Sequence, residues 1–244
     1  MIDDIIEVEE EESPFELHEG VFNPREVKFL VYGDSGAGKT VFSSTWPKPI
    51  FLDIDKGMAS VTRQVHRKKI DNWDQLDAAI LTLVMNDGYG FETIVVDSLN
   101  ELQAICMANV LKKYPNIRRS YNSLASQADY GKMLSDFDKT VRVLRSIPVN
   151  VVFIAQVAPR EYETDQVQPQ LIGKSTSRNL ARMMDVIGFL DKQLDDDGER
   201  TRVMTLDAIN HVTKDRSRVL PPAIKNPTFD ELNKYWIQAQ IDKE

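Results

Sequence analysis

The chain has 244 residues, 42% of them hydrophobic and 28% charged, with a formal net charge of −8. That is enough apolar material for one sizeable core and too little chain for two large domains. The longest apolar runs, such as Val149 to Ala155 interrupted only by Asn150, fall far short of a membrane span, so no membrane association is expected.

The charge is unevenly placed. Residues 1–20 hold nine acids (Asp3, Asp4, Glu7, Glu9, Glu10, Glu11, Glu12, Glu16 and Glu19) and no Lys or Arg, leaving 29 acids against 30 bases in the remainder. An acidic protein is a poor nucleic-acid binder, but a neutral core with an acidic arm is not excluded from that role. The opening residues lack the basic and apolar stretches of a signal peptide, and the single cysteine, Cys106, cannot form an internal disulfide. Both features fit a cytoplasmic protein. Three parts are expected: an acidic, largely flexible arm over 1–24, a core over 25–220, and a Pro-rich linker with a terminal helix over 221–244.

Along the core, short apolar strands alternate with helical stretches. Val27 to Tyr32 reads as a strand ending at Gly33, residues 38–45 open a helix, and Pro49 to Ile54 is a second strand. Trp73 to Met85 places Leu76, Ala79, Ile80, Leu83 and Val84 at helical spacing and stops near Asp87-Gly88. Thr93 to Asp97 is a near-continuous apolar strand of the kind buried on both faces of a parallel sheet. Helices over Leu99 to Leu111 and Tyr130 to Ile147 follow, then a fourth buried strand over Val149 to Gln156. After residue 184 the pattern changes. Asp185 to Lys192 and Arg200 to Asp207 flank Asp195-Asp196-Asp197-Gly198, a hairpin signal. A further strand is expected within His211 to Lys214, and Phe229 to Gln240 reads as the terminal helix.

Gly33-Asp34-Ser35-Gly36-Ala37-Gly38-Lys39-Thr40 matches G-x-x-x-x-G-K-[ST] in full, between a strand and a helix as its mechanism requires. Glycines let backbone N–H groups turn inward around phosphate oxygens, and the helix start adds positive potential. Lys39 would reach the β- and γ-phosphates of ATP, and the Thr40 hydroxyl would ligate Mg²⁺. Asp97, ending a neighbouring buried strand, would hold the magnesium shell through water; a helix N-cap is the plainer use of the same residue, and the two are compatible.

Other strand ends resemble those of RecA/RadA-type ATPases. Phe51-Leu52-Asp53-Ile54-Asp55 is similar to the strand that carries a catalytic carboxylate at its tip, which would make Asp55 the general base where that family usually has Glu; Asp53 is the alternative. Val152-Phe153-Ile154-Ala155-Gln156 resembles the strand that ends in a γ-phosphate-sensing Gln and leads into a DNA-binding loop. Residues 166–184 carry Lys174, Arg178 and Arg182 without acids, where the family has its second DNA loop and the helix behind it. Near the first such loop lie Lys112, Lys113, Arg118 and Arg119, with Tyr114 and Tyr121 beside them, the charge-plus-stacking chemistry of a single-strand groove. Each cluster taken alone also reads as a solvated face. Lys214-Asp215-Arg216 resembles the K-x-R element by which RecA-core proteins reach a neighbour's γ-phosphate.

Residues 27–218, about four-fifths of the chain, thus resemble a bare RecA core, most like small phage ATPases of the Sak-four type that act as single-strand annealing recombinases. The resemblance implies an α/β P-loop NTPase fold: a mainly parallel central sheet flanked by helices, with a C-terminal antiparallel hairpin extension. It also implies Mg²⁺-dependent ATP hydrolysis stimulated by DNA, single-stranded DNA and a single-strand-binding protein as partners, and a homo-oligomeric ring or filament. A replication motor or loader built on the same core, and a KaiC-like nucleotide switch acting without DNA, are the alternatives.

Overall fold

The computed structural model describes residues 22–114, 125–160, 165–173, 175–194 and 197–242. The acidic residues of the arm, Arg118, Arg119, Tyr121 and Lys174 lie outside them.

The strands are β1 (Lys28–Gly33), β2 (Pro49–Asp53), β3 (His66–Lys69), β4 (Thr93–Asp97), β5 (Asn150–Gln156), β6 (Val186–Leu194), β7 (Arg200–Thr205), β8 (Lys214–Asp215) and β9 (Ala223–Lys225). They form one sheet in the order β3-β2-β4-β5-β1-β6-β7-β9, with β8 also paired to β6. Pairing from β3 through β6 is parallel, and β7, β8 and β9 join antiparallel. The α/β class and the C-terminal antiparallel extension are therefore as the sequence reading expected.

Among the described residues six α-helices accompany the sheet: α1 (Lys39–Ser43), α2 (Trp73–Met85), α3 (Leu99–Lys113), α4 (Gln127–Ser146), α5 (Thr176–Met183) and α6 (Phe229–Ile241). Strand alternation sorts the core onto two faces. Leu30 and Tyr32 join Leu76, Leu102, Phe137 and Leu180 beneath α2, α3, α4 and α5. Phe29 and Val31 join Phe42, Trp46, Leu232 and Trp236 beneath α1 and α6. The terminal helix is thus built into the core: Trp236 is buried, and the Phe229 N–H donates to Thr45 Oγ1 at 2.8 Å.

Helix boundaries follow local chemistry. Asn72 caps α2 by accepting from the Gln75 N–H at 3.0 Å, and Thr228 caps α6 through the Glu231 N–H at 3.2 Å. Ser126 and Asp129 form a reciprocal capping box at the start of α4. Two strands escaped the sequence reading. All four residues of β3 are exposed, so no buried face marks it, and β9 has only three residues. The strand expected within His211 to Lys214 is Lys214–Asp215, with His211 forming an isolated bridge to Val167.

Candidate functional site

The parallel strands end together, and that edge gathers the chemistry. In register, Gly33 of β1 lies beside Gln156 of β5, and Asp53 of β2 beside Asp97 of β4. The Gly33–Thr40 loop leaves β1 and enters α1. Its Lys39 is only 6% exposed, and its Nζ donates to Gly33 O and Asp34 O, both at 2.8 Å, and to Gln156 Oε1 at 3.1 Å. Burial lowers its pKa, partly offset by the charges of Asp97, Asp34 and Asp55. A buried ammonium bonded only to neutral oxygens keeps its charge unpaired, and here it lies in a glycine loop whose N–H groups can turn toward an anion. Phosphate oxygens fit there.

Thr40 Oγ1 donates to Asp97 Oδ2 at 2.8 Å. Asp97 is buried, and its pKa is pushed up to about 6 by desolvation and, further, by the Asp55 and Asp53 charges; the Thr40 bond and Lys39 oppose this. No group of three or more His, Cys, Asp or Glu among the described residues forms a metal cage. One hydroxyl and one carboxylate side by side suit a cation that keeps much of its water and shares phosphate oxygens, as Mg²⁺ does. These residues fit Mg²⁺ with a nucleotide; they would not hold a cation by themselves.

The two candidate base carboxylates have opposite environments. Asp53 is fully buried: Arg67 Nη1 stands 3.4 Å from its Oδ2, and its Oδ1 has no hydrogen-bond partner among the described residues. Asp55 is exposed, and its backbone N–H donates to Asp97 O at 2.9 Å, which holds it at the same edge.

Gln156 connects the loop to a segment beyond β5. Its backbone N–H donates to Asn100 Oδ1 at 2.9 Å, and Asn100 Nδ2 donates to Gln170 O at 2.8 Å. Gln103 exchanges two hydrogen bonds with the Ile172 backbone, and Ser177 Oγ donates to Pro169 O at 2.9 Å. That path reaches α5, where Arg178 and Arg182 are exposed one turn apart and Leu180 and Met183 face the core. Asn100 and Gln103 carry no sequence signal, because their role depends on a segment seventy residues away.

The remaining candidates are placed differently. Lys112 and Lys113 occupy the last turn of α3; Lys112 Nζ is 4.0 Å from Asp74 Oδ2 of α2, and Lys113 lies near Asp77. Tyr114 is exposed, with Lys132 Nζ 5.7 Å from its ring centroid. Lys214 and Arg216 sit at the opposite edge, where β1 and β6 begin. Lys214 Nζ donates to Ala181 O and Met184 O, and Arg216 Nη1 pairs with Asp185 Oδ1 at 2.7 Å. By strand rise that edge is roughly 16 Å from the loop, so neither reaches the phosphate site of its own chain.

Among the described residues no helix is long and apolar enough to cross a membrane. A comparison with curated proteins found no match. Among solved structures, the fold is similar to a KaiC-like protein, PH0186, from the hyperthermophilic archaeon Pyrococcus horikoshii OT3, at 13% identity over 74% of this chain and 77% of that one, with a TM-score of 0.39. The family model AAA_24, described as an AAA domain, matches residues 25–217, which is the whole sheet up to β8 together with the phosphate loop; the chain belongs to that family of P-loop ATPase domains.

Proposed function

We propose that this ATPase domain is a Mg²⁺-dependent, single-stranded-DNA-binding recombination protein that promotes annealing or strand exchange and works as a homo-oligomer. The observation that carries the reading is the hydrogen-bonded path from Lys39 through Gln156, Asn100 and Gln170 to α5. A group that senses the terminal phosphate through Gln156 is thereby joined to a helix presenting Arg178 and Arg182 to solvent. Basic side chains spaced one turn apart suit successive backbone phosphates.

In this reading Lys39 and the loop N–H groups bind the triphosphate, and Thr40 with Asp97 hold the cation that neutralises its charge. Exposed Asp55 orients the attacking water and accepts its proton. Buried Asp53 has no route to that water, which favours Asp55 of the two. Arg216, too distant to act within its own chain, would serve a neighbouring subunit after leaving Asp185; mixing inactive Arg216→Ala with inactive Lys39→Ala protein should then restore part of the activity.

ATP turnover with and without single-stranded DNA, alongside a mass measurement of the assembly, tests the proposal. Stimulation by DNA is expected, together with an Arg178→Ala/Arg182→Ala variant whose log–log salt dependence of binding is flatter by about 0.7 per lost contact. Turnover indifferent to DNA would overturn it in favour of a nucleotide switch.

A further inference from the structure

The hairpin of β6 and β7 brings two cations over the phosphate loop from within the same chain. Lys192 and Arg202 are directly opposed cross-strand partners. Arg202 Nε donates to Ala37 O at 3.1 Å. A Cβ placed on Gly38, whose φ is 103°, would stand 2.5 Å from Arg202 Nε, and one placed on Gly36, at φ 74°, 3.2 Å from Lys192 Nζ. The two glycines are the surface on which the two cations rest, so any side chain there would push them away.

Like charges directly opposed on a sheet repel, and the sheet gains nothing from them. Neither cation has a carboxylate hydrogen-bonded to it among the described residues, and Lys192 Nζ makes no hydrogen bond there at all. Arg202 is nonetheless held firmly by its backbone. Its N–H donates to Asn226 Oδ1 at 3.2 Å, its carbonyl accepts from the Asn226 N–H at 2.6 Å, and β6 pairs along its other side. A rigid strand thus aims a charge at a loop built for an anion.

We propose that Lys192 and Arg202 form a second, cis-acting cationic contact to the bound nucleotide, gripping its phosphates from the outer face of the loop while Lys39 holds them from inside. The inference rests on the nucleotide-binding reading of the loop and extends it to the antiparallel hairpin. An anion between the two cations relieves their repulsion and adds charge-assisted hydrogen bonds. Nucleotide binding would then fasten the hairpin where it already rests on the loop, coupling the active site to the C-terminal strands through Asn226.

The test is MgADP binding by calorimetry for the parent, Lys192→Ala, Arg202→Ala and Arg202→Lys, with thermal unfolding of each protein without nucleotide. Both alanine variants should bind at least about tenfold more weakly, the range of a lost hydrogen bond to a charged group. Arg202→Lys should lose less than Arg202→Ala. Nucleotide-free unfolding of Lys192→Ala should match the parent, because its ammonium makes no hydrogen bond to any described residue. Parent-like binding in Lys192→Ala overturns the paired contact, and the same result in Arg202→Ala reduces that residue to a strut for the Ala37 carbonyl. Failure of the parent to bind MgADP would instead strike the loop assignment itself, a separate failure read in the same titration.

Discussion

The two ends of β1 each bury a lysine, and the pair look alike until their surroundings are compared. Lys28 is 7% exposed and donates to Ile147 O and Val149 O; Lys39 is 6% exposed and donates to Gly33 O and Asp34 O. Desolvation lowers the pKa of both, that of Lys28 to about 8. Lys28 tethers the turn before β5, beside Asp185, and both of its bonds go to backbone carbonyls of that turn. Lys39 has one further partner, the Gln156 amide, and sits among the charges of Asp34, Asp55 and Asp97 in a glycine-lined loop. Burial and a shifted pKa are therefore common to a structural group and a functional one. What separates them is whether the neighbouring groups can accept a ligand.

Four outcomes would break or sharpen that contrast. The largest concerns the lysines themselves. Lys39→Ala should slow ATP hydrolysis by about a hundredfold or more, as removal of a charge-stabilising donor does, with the far-ultraviolet circular dichroism unchanged. Lys28→Ala should leave turnover per folded molecule intact and cost about 1–3 kcal/mol in urea unfolding, because two buried carbonyls lose the charged donor they share. Exchange of these two phenotypes would invert the assignment.

Next in size is the carboxylate choice. Asp55→Asn should lower kcat by about a hundredfold with nucleotide affinity retained, the effect of removing a general base. Asp53→Asn, buried beside Arg67, should act mainly on stability. A dead Asp53→Asn with an active Asp55→Asn would make Asp53 the general base instead.

A third outcome is read in pH. Desolvation raises the Asp97 pKa in the folded state from 3.8 to about 6, so this group favours folding at low pH and that contribution fades as pH rises through about 6. Cation binding prefers the carboxylate, so Mg²⁺-dependent nucleotide binding should weaken by up to about tenfold per pH unit below 6, with proton release on binding. Asp97→Asn should bind weakly and without that dependence. A parent affinity flat between pH 5 and 7 would remove Asp97 from the cation site.

The smallest effect belongs to Lys28. The folded state holds its proton more weakly than the unfolded chain, since the pKa falls from 10.5 to about 8. Its contribution therefore opposes folding below pH 8 and is relieved as pH rises from 8 toward 10.5. Stability of Lys28→Met relative to the parent should consequently decline across that interval; a constant difference would mean that the folded Lys28 is not desolvated.

Where the sequence was informative, the information was local. A phosphate loop works through consecutive residues, so Gly33 to Thr40 could be read without the fold, and the near-continuous apolar runs of β4 and β5 announced buried strands. Helix α2 was legible to its ends because Asn72 caps it and its buried residues recur at helical spacing. Tertiary structure decided what depends on partners far along the chain. Asp53 and Asp55 differ by two positions and one environment, and only packing buries the first while leaving the second in water. Lys214 and Arg216 are a three-residue pattern until β8 docks at the edge away from the loop. Lys192 and Arg202 become neighbours only through hairpin register, and face Gly36 and Gly38 only because β6 lies against β1. Side-chain chemistry at fixed spacing is written in the chain; which charges share a low-dielectric space is set by the sheet that brings them together.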